Sequence, residues 1–378
     1  MSSQNQHHHR TSQNDKSSTK IIPSKDMDPF PDNFFPIFFR NQFRTKIELP
    51  SKSRYPDVEG LCGIITGSNT GLGHEASSQL LSLGLSRLIM GVRSIARGEA
   101  AASKLRSVNP SARIDVWDLD MESYDSIQAF ARRVATETDL PRIDFVILNA
   151  GVAPVTYTTT KATGHEQTIQ VNHIGTFLLS TLLLPTLRKK KTVRDDSRGP
   201  GSGIPATLTI VNSVTAHLAK FPNKDSRPLL PSFDDPKTYD PQERYGVSKL
   251  LNQLATVRLC GMVDPDDVII NMVDPGLTKN TNLARDAKGA LALAVKVFNG
   301  VAGRPLDRAA STYVSAVLGY GKESHGCFMM NGKIAPLSRW YYSPEGKTLT
   351  DVIWKETAKE LESVVNLEDI VASLKHQS

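Results

Sequence analysis

Two tyrosine–lysine pairs in the sequence have the four-residue spacing that places both side chains on one face of a helix. They are Tyr157–Lys161 and Tyr245–Lys249. A lysine ammonium beside a phenol favours the tyrosinate, which can adapt the tyrosine to general acid–base chemistry. Three threonines follow Tyr157 before Gly164, which predicts a loop in which this spacing has no meaning. Tyr245 opens a strongly helical stretch, so the sequence predicts that Tyr245 and Lys249 are the acting pair.

A glycine-rich turn lies between a predicted strand over residues 61–66 and a predicted helix over residues 73–83. The turn has the sequence Thr66-Gly67-Ser68-Asn69-Thr70-Gly71-Leu72-Gly73. Glycines at these offsets allow a tight turn and a close approach of the backbone to a pyrophosphate. The helix that follows directs its N-terminus at the same phosphates. The turn therefore predicts a dinucleotide site.

Short apolar segments alternate with amphipathic ones from residue 61 onward, and the apolar segments lack the in/out alternation of half-buried strands. The predicted strands are 61–66, 87–92, 113–119, 143–149, 207–213, 268–273 and 326–330. The predicted helices are 73–83, 96–107, 123–138, 164–187, 241–262 and one capped by Ser343. This order predicts the α/β class, with a single Rossmann-type, doubly wound parallel sheet of about seven strands and helices on both faces. Loop insertions are predicted near residues 188–205 and 219–240.

We expect the domain to cover residues 61–370. The chain before it divides into two segments. Residues 1–27 are mostly polar and are predicted to be a disordered tail. Residues 28–60 begin with a phenylalanine-rich stretch, since residues 28–46 contain six of the thirteen phenylalanines. Two prolines interrupt its helical spacing. This favours a strap that packs on the domain over peripheral membrane contact, which is the alternative.

The composition of the 378 residues excludes several classes of protein. Every apolar stretch is shorter than the ~20 residues that a membrane-spanning helix needs. The net charge of +6 arises from 45 basic and 39 acidic residues, without the concentration of bases that nucleic-acid binding requires. Three widely separated cysteines exclude a cysteine-rich zinc site and fit a reducing compartment. We therefore expect a cytoplasmic protein without a bound metal or nucleic acid.

The TGxxxGxG spacing of the glycine turn differs from the general dinucleotide fingerprint and resembles that of the short-chain dehydrogenase/reductase family. The resemblance covers about residues 44–365 and includes five motifs in the family's order. Its details look closest to fungal members of the retinol-dehydrogenase-like group. Those details include Gly91-Val92-Arg93, Glu243-Arg244-Tyr245 and Ala219-Lys220-Phe221-Pro222.

The resemblance implies four catalytic residues, which are Asn172, Ser213, Tyr245 and Lys249. Tyr245 would exchange a proton with the substrate's carbonyl oxygen, and Ser213 would hydrogen-bond that oxygen. Lys249 would reach the nicotinamide ribose, while Asn172 would hold a water that links Lys249 to solvent. Thr215 is the reserve candidate for the serine. Lys249 and the positive nicotinamide are expected to lower the pKa of Tyr245.

The resemblance also implies NADP(H) as the cofactor. Arg93 stands where an NAD-selective site usually carries an acid, and its guanidinium would pair with a 2′-phosphate. Asp120 would hold the adenine edge, with Asp118 as the alternative. The expected cofactor-binding residues are Gly67, Asn69, Thr70, Gly71, Leu72, Gly73, Arg93, Asp120, Met121, Asn149, Ala150, Gly151, Tyr245, Lys249, Pro275, Gly276, Thr278 and Thr281.

These residues together predict an NADP(H)-dependent oxidoreductase that interconverts a ketone or aldehyde with an alcohol by hydride transfer. By analogy with the family, the chain resembles a fungal ketoreductase or alcohol dehydrogenase of natural-product metabolism. The alternatives are an NADP(H)-binding pseudoenzyme or sensor, and an epimerase or dehydratase acting on nucleotide sugars. The variable loops show no charged cluster, so we expect a lipophilic small-molecule substrate. Family members are often oligomers, which implies a homo-oligomer here.

Overall fold

The described residues form one eight-stranded sheet with helices on both faces. The computed structural model describes residues 21–189, 204–279, 300, 302–367, 369, 370 and 372. The strands are β1 Cys62–Thr66, β2 Arg87–Val92, β3 Arg113–Asp118, β4 Phe145–Leu148, β5 Ala206–Val211, β6 Val268–Asp274, β7 Phe328–Met330 and β8 Lys333–Ala335. Their order is β3-β2-β1-β4-β5-β6-β7-β8, and all neighbours are parallel except β7 and β8. The predicted doubly wound α/β fold is confirmed.

The helices occupy the stretches between the parallel strands, as the alternating pattern predicts. They are α1 Phe35–Phe39, α2 Gly71–Leu83, α3 Ile95–Arg106, α4 Tyr124–Thr136, α5 Gln167–Ile169, α6 Thr176–Lys189, α7 Thr215–Leu218, α8 Pro241–Cys260, α9 Leu306–Leu318, α10 Arg339–Tyr342 and α11 Pro344–Leu361. The predicted cap of α11 is present, because the Ser343 side chain accepts a hydrogen bond from the Gly346 N–H at 3.0 Å. No helix among these residues is long and apolar enough to span a bilayer.

Strands β1, β2, β4 and β6 are buried along their whole length, because helices cover both faces of the sheet. One core layer joins the sheet to α4, α6, α8 and α11, with Phe130, Phe177 and Leu254 among its members. The other layer joins it to α2, α3 and α9, with Leu80 and Tyr313 among its members. Neighbouring strand order reverses between β1 and β4, which opens a crevice at their carboxyl ends.

Residues 21–27 pack on the sheet, although their composition predicts disorder. Ser24 is fully buried, and its hydroxyl pairs with the Phe328 N–H at 2.9 Å and with the Phe328 carbonyl at 3.3 Å. The prediction that residues 1–27 are disordered is therefore wrong for residues 21–27, because backbone groups of β7 hold Ser24. Residues 1–20 lie outside the described residues.

The phenylalanine-rich stretch has an inner and an outer face. Phe34 is buried, and the rings of Phe30 and Phe34 lie 5.3 and 6.4 Å from the ring of His217 in α7. The outer face of α1 and the π-helical turn Arg40–Arg44 exposes Phe35, Phe39 and Phe43. The inner contacts give this stretch the position of a strap against the domain.

The second predicted insertion, residues 219–240, folds onto the domain. Leu229, Leu230 and Phe233 are buried, and two short 3₁₀ turns close the loop. Its end is tied to α8 because Arg244 donates to the Phe233 carbonyl at 2.7 Å and to the Thr238 hydroxyl at 3.1 Å. Most of the first insertion, residues 190–203, lies outside the described residues.

Candidate active site

A cleft of about 480 Å³ lies at the crevice between β1 and β4, and its volume falls in the range of small-molecule sites. It is lined by residues from the glycine turn, the ends of β2, β3 and β4, and the loops that follow: Gly67, Asn69, Thr70, Gly71, Leu72, Gly91, Val92, Arg93, Ser94, Arg97, Leu119, Asp120, Met121, Glu122, Asn149, Ala150, Gly151, Val152 and Val171. Eleven of the predicted cofactor-binding residues therefore share one cavity: Gly67, Asn69, Thr70, Gly71, Leu72, Arg93, Asp120, Met121, Asn149, Ala150 and Gly151.

The glycine turn forms an open cradle at one end of the cleft. Gly67 and Gly71 adopt left-handed φ angles of 65° and 60°, which favour glycine. A Cβ on Gly71 would meet nothing within 4 Å, so its open side faces the cavity. The first N–H groups of α2 have no partner within their helix and suit a phosphate at this position. The turn thus fits the pyrophosphate of a dinucleotide.

Gly73 does not line the cleft but lets the turn pack closely on β4. A Cβ there would lie 2.6 Å from the Asn149 side-chain nitrogen and 2.9 Å from the Gly67 carbonyl. Asn149 Nδ2 in turn donates to the Thr66 carbonyl at 2.9 Å, while Tyr313 in α9 donates to Asn149 Oδ1 at 3.2 Å. The Asn149-Ala150-Gly151 motif therefore holds the cradle in shape.

The far end of the cleft contains two arginines and two acids. Arg93 pairs with Glu122 at 2.6 Å, and Arg97 also lines the wall. Asp120 lines the cleft, whereas Asp118 is exposed and does not, which favours Asp120 as the adenine contact. Sequence reasoning missed Arg97 and Glu122, although Arg97 lies in the first turn of α3, four residues after Arg93, and could have been found from its place beside the end of β2.

Helix α8 presents the tyrosine–lysine pair to the end of β5. Asp240 caps this helix by accepting from the Glu243 N–H at 2.8 Å, so the helix starts at Pro241, four residues before Tyr245. The Ser213 side chain lies within hydrogen-bonding reach of the Tyr245 hydroxyl. Lys249 Nζ donates to the Val211 carbonyl at 2.8 Å and lies 5.8 Å from the centre of the Tyr245 ring. The structure therefore brings together three of the four predicted catalytic residues directly.

Asn172 joins this group through a π-helical turn, Gln170–Gly175, of the kind often found at functional sites. Its oxygen accepts from the Val152 N–H at 2.9 Å, and its nitrogen donates to the Val152 carbonyl at 2.8 Å and to Ser248 at 3.1 Å. A Cβ on Gly151 would lie 3.2 Å from Asn172 Oδ1 and 3.7 Å from Lys249 Nζ. Asn172 thus holds the backbone between the cleft and Lys249. Its expected role in holding a water that links Lys249 to solvent stays a prediction.

The pKa of Tyr245 is shifted in the direction opposite to the expected one. Burial of the phenol raises this pKa above its usual range, the Asp274 carboxylate raises it further, and the hydrogen bond with Ser213 lowers it. Burial also lowers the pKa of Lys249 to about 8. The neutral phenol is therefore the favoured form at neutral pH, which suits a proton donor.

The competing candidates lie elsewhere or lack the needed contacts. Tyr157 stands in a loop and donates to the Asp234 carbonyl at 2.5 Å, so the Tyr157–Lys161 spacing has no helical meaning. Thr215 Oγ1 is buried without a hydrogen-bond partner, whereas Ser213 contacts Tyr245. These contacts favour Ser213 over its reserve candidate.

The turn after β6 is only partly as expected. Pro275 and Gly276 follow Asp274, and Gly276 has a φ of 75°. The Thr278 hydroxyl is buried and donates to the Gly276 carbonyl at 2.9 Å, so it braces the turn and does not line the cleft. Thr281 lies outside the described residues. Within the described ranges, no three His, Cys, Asp or Glu side chains converge as metal ligands.

The fold and the site define a dinucleotide-fold protein with a tyrosine–lysine–serine constellation. A model of the short chain dehydrogenases matches residues 62–194. The short chain dehydrogenase/reductase mfmJ of Annulohypoxylon moriforme is 48% identical over 356 residues, which cover 94% of this chain and 99% of that protein. The short chain dehydrogenase virL of Hypocrea virens is 44% identical over 338 residues, or 89% of this chain and 94% of that one. The chain belongs to the short-chain dehydrogenase/reductase family of oxidoreductases.

Solved structures share the same fold at low identity. The oxidoreductase yciK from E. coli superposes with a TM-score of 0.52 at 17% identity, covering 75% of this chain and 98% of that one. A short chain dehydrogenase from Escherichia coli CFT073, solved in complex with NADPH, gives a TM-score of 0.51 at 17% identity, with 75% and 99% covered. Both superpositions support the fold described above.

Proposed function

We propose that this protein is an NADP(H)-dependent oxidoreductase that reduces a ketone or aldehyde to an alcohol, or catalyses the reverse. The observation that carries the proposal is the convergence of Tyr245, Ser213 and Lys249 at the end of β5. Gly151 and Asn172 connect this group to the cleft that begins at the glycine turn. A dinucleotide in the cleft would thus extend toward the Tyr245 hydroxyl.

Each catalytic side chain has a role that follows from its contacts. The bound nicotinamide would supply or accept the hydride. Tyr245 donates its proton to the carbonyl oxygen, and its raised pKa keeps it protonated for that task. Ser213, which lies within hydrogen-bonding reach of the Tyr245 hydroxyl, orients the same oxygen. Lys249 carries the positive charge that stabilises the tyrosinate left after transfer.

Preference for NADP(H) is supported by the charges at the far end of the cleft. Arg93 and Arg97 are exposed cations on the wall, where a 2′-phosphate would add negative charge. Glu122 holds Arg93 at 2.6 Å, so a phosphate would replace that carboxylate as the partner of the guanidinium. The neighbour solved with NADPH is consistent with this preference.

We infer a lipophilic substrate from natural-product metabolism, on the ground that the identified relatives are fungal and that buried aromatic residues close the 219–240 insertion. A cytoplasmic location is supported by Cys62, Cys260 and Cys327, all of which are buried and form no disulfide. A homo-oligomer is proposed from the family resemblance alone. Competing proposals are a cofactor-binding sensor and a nucleotide-sugar enzyme.

Purified protein is expected to oxidise NADPH in the presence of at least some members of a panel of lipophilic ketones and aldehydes. The measurement is the loss of reduced-nicotinamide absorbance, with NADH and a carbonyl-free blank as controls. NADPH binding without turnover across the panel would favour the sensor. Conversion of a nucleotide sugar without net change in the cofactor would favour the epimerase or dehydratase.

The rate of carbonyl reduction is expected to fall above about pH 8, where Lys249 loses its proton. The sign follows from the role of the ammonium: the cation is present below this pKa and disappears above it. Since the raised pKa of Tyr245 lies at higher pH, the phenol should not cause this fall in rate, which is the alkaline limb of the pH profile. The measurement is kcat against pH, with Lys249→Arg as the matched variant. Arginine stays charged, so its profile should remain flat through this range at a lower absolute rate. An unchanged limb in Lys249→Arg would contradict the assignment.

A further inference from the structure

Arg304 is a buried guanidinium outside the catalytic set, and it joins three distant parts of the chain. It precedes α9 and is 6% exposed. Its Nη1 donates to the Pro275 carbonyl at 3.0 Å. Its Nη2 donates to the Asn41 carbonyl at 2.9 Å and to Asn331 Oδ1 at 2.7 Å. One planar side chain therefore connects the turn after β6, the N-terminal segment and the β7–β8 hairpin.

The guanidinium lies directly against the turn that follows β6. A Cβ on Gly276 would come within 2.9 Å of Arg304 Cζ, so the absence of a side chain there makes room for the guanidinium. Asp274, the last residue of β6, lies directly before this turn. It is buried and accepts a hydrogen bond from the Val214 N–H at 3.1 Å. Val214 is adjacent to Ser213, so the turn and the catalytic serine share one rigid connection.

The N-terminal segment, which comprises residues 21–60, also contacts this turn. Gln42 Nε2 donates to the Leu277 carbonyl at 2.6 Å, and Asn41 Nδ2 lies 3.4 Å from the Met330 sulfur. Phe34, earlier in the segment, is buried beside His217 in the short helix that follows Ser213. Residues 34–42 therefore span the carboxyl ends of β5, β6 and β7.

We propose that Arg304 and the N-terminal segment form a clamp that holds the Pro275–Leu277 turn, and that this clamp positions the nicotinamide end of the cofactor site. The proposal rests on the proposed function, since it needs a dinucleotide in the cleft. Arg304 is a positioning residue because its contacts are with the turn and the segment. A lysine keeps the charge but cannot donate to three acceptors in one plane, so it should replace Arg304 poorly.

The test compares Arg304→Met, Arg304→Lys and Gln42→Ala with the matched control Arg308→Met. Arg308 also binds the N-terminal segment, through the Ile47 carbonyl at 2.7 Å, but makes no described contact with the turn. Two affinities are measured: that for 2′,5′-ADP, which reports the adenine half of the site, and that for NADPH. The clamp predicts an unchanged 2′,5′-ADP affinity and a lower ratio of NADPH to 2′,5′-ADP affinity in the turn variants.

Turnover supplies the second readout. The rate per 2′,5′-ADP-binding site should fall about tenfold to a hundredfold in Arg304→Met, since small misplacements of a reacting group have effects of this size. Arg304→Lys should recover little, Gln42→Ala should show a smaller loss, and Arg308→Met should match the wild type. A loss of binding sites in proportion to the loss of rate would indicate a structural role and overturn the proposal. The ratio of NADPH to 2′,5′-ADP affinity can be measured without turnover. A failure of the clamp can therefore be distinguished from a failure of the proposed reaction.

Deletion of residues 1–46 tests whether the N-terminal segment acts on the turn through Arg304. Removal of residues 1–46 should reproduce the fall in the affinity ratio, and in the Arg304→Met background it should add little, because both changes release the same turn. Removal of residues 1–20 is the control and should have no effect. Full activity after removal of residues 1–46, together with lost sedimentation on liposomes, would overturn the clamp and favour membrane contact. Should the deleted chain not fold, Gln42→Ala decides the question.

Discussion

Tyr245→Phe is expected to abolish carbonyl reduction while NADPH affinity stays within about twofold of the wild-type value. The substitution removes only the hydroxyl that lies near Ser213, so the ring keeps its place beside Lys249. Loss of a general acid typically reduces rates by about 10² to 10⁴. The measurement is kcat under saturating NADPH, with cofactor affinity determined separately by titration.

Tyr157→Phe is the matched control for this experiment. Tyr157 has the same four-residue spacing to a lysine, but its hydroxyl donates to the Asp234 carbonyl in a loop. Its removal should leave kcat nearly unchanged and lower stability by about 1 kcal/mol at most. If Tyr157→Phe eliminated activity and Tyr245→Phe did not, the assignment of the catalytic pair would be wrong.

Arg93→Asp is expected to weaken NADPH binding by about tenfold to a hundredfold while NADH binding changes little or improves. A charge-assisted hydrogen bond to the 2′-phosphate would be lost and a repulsive carboxylate added. Because Arg93 is exposed and Arg97 stands nearby, solvent and the second cation should limit the loss. The measurement is the ratio of kcat/KM for NADPH to that for NADH.

Glu122→Gln is the complementary variant, since Glu122 is the carboxylate that pairs with Arg93. Removal of its charge should free the guanidinium and strengthen NADPH binding, with little effect on NADH. A wild-type protein that prefers NADH, or a Glu122→Gln variant that weakens NADPH, would exclude the proposed role of Arg93.

The fold and most of the cleft could be predicted because they depend on local patterns. Buried strands and capped helices have their own sequence signals, and the glycine turn, Arg93 and Asn149 follow strands directly. The predicted strand over residues 326–330 contains β7, but the sequence analysis does not predict β8, which has only three residues and pairs with β7 as a hairpin. Its Asn331-Gly332 turn, with φ angles of 57° and 69°, is the signal that could have revealed it.

The features that sequence reasoning missed are contacts between residues far apart in the chain. Ser24 is held by Phe328, Glu122 pairs with Arg93, and Arg304 binds Pro275 and Asn41. No local pattern encodes these partners. The fold also buries the Tyr245 phenol, which raises its pKa, and the sequence prediction, which considered only Lys249 and the nicotinamide, did not include this effect.

Transfer of deuterium from NADPH that carries deuterium at both nicotinamide C4 positions tests the central claim most directly. We predict that the wild-type protein places the label on the former carbonyl carbon of a reduced ketone, as detected by mass spectrometry, and that Tyr245→Phe binds NADPH without forming this product. Product without the label, or unchanged labelling by Tyr245→Phe, would contradict hydride transfer with Tyr245 as the proton donor.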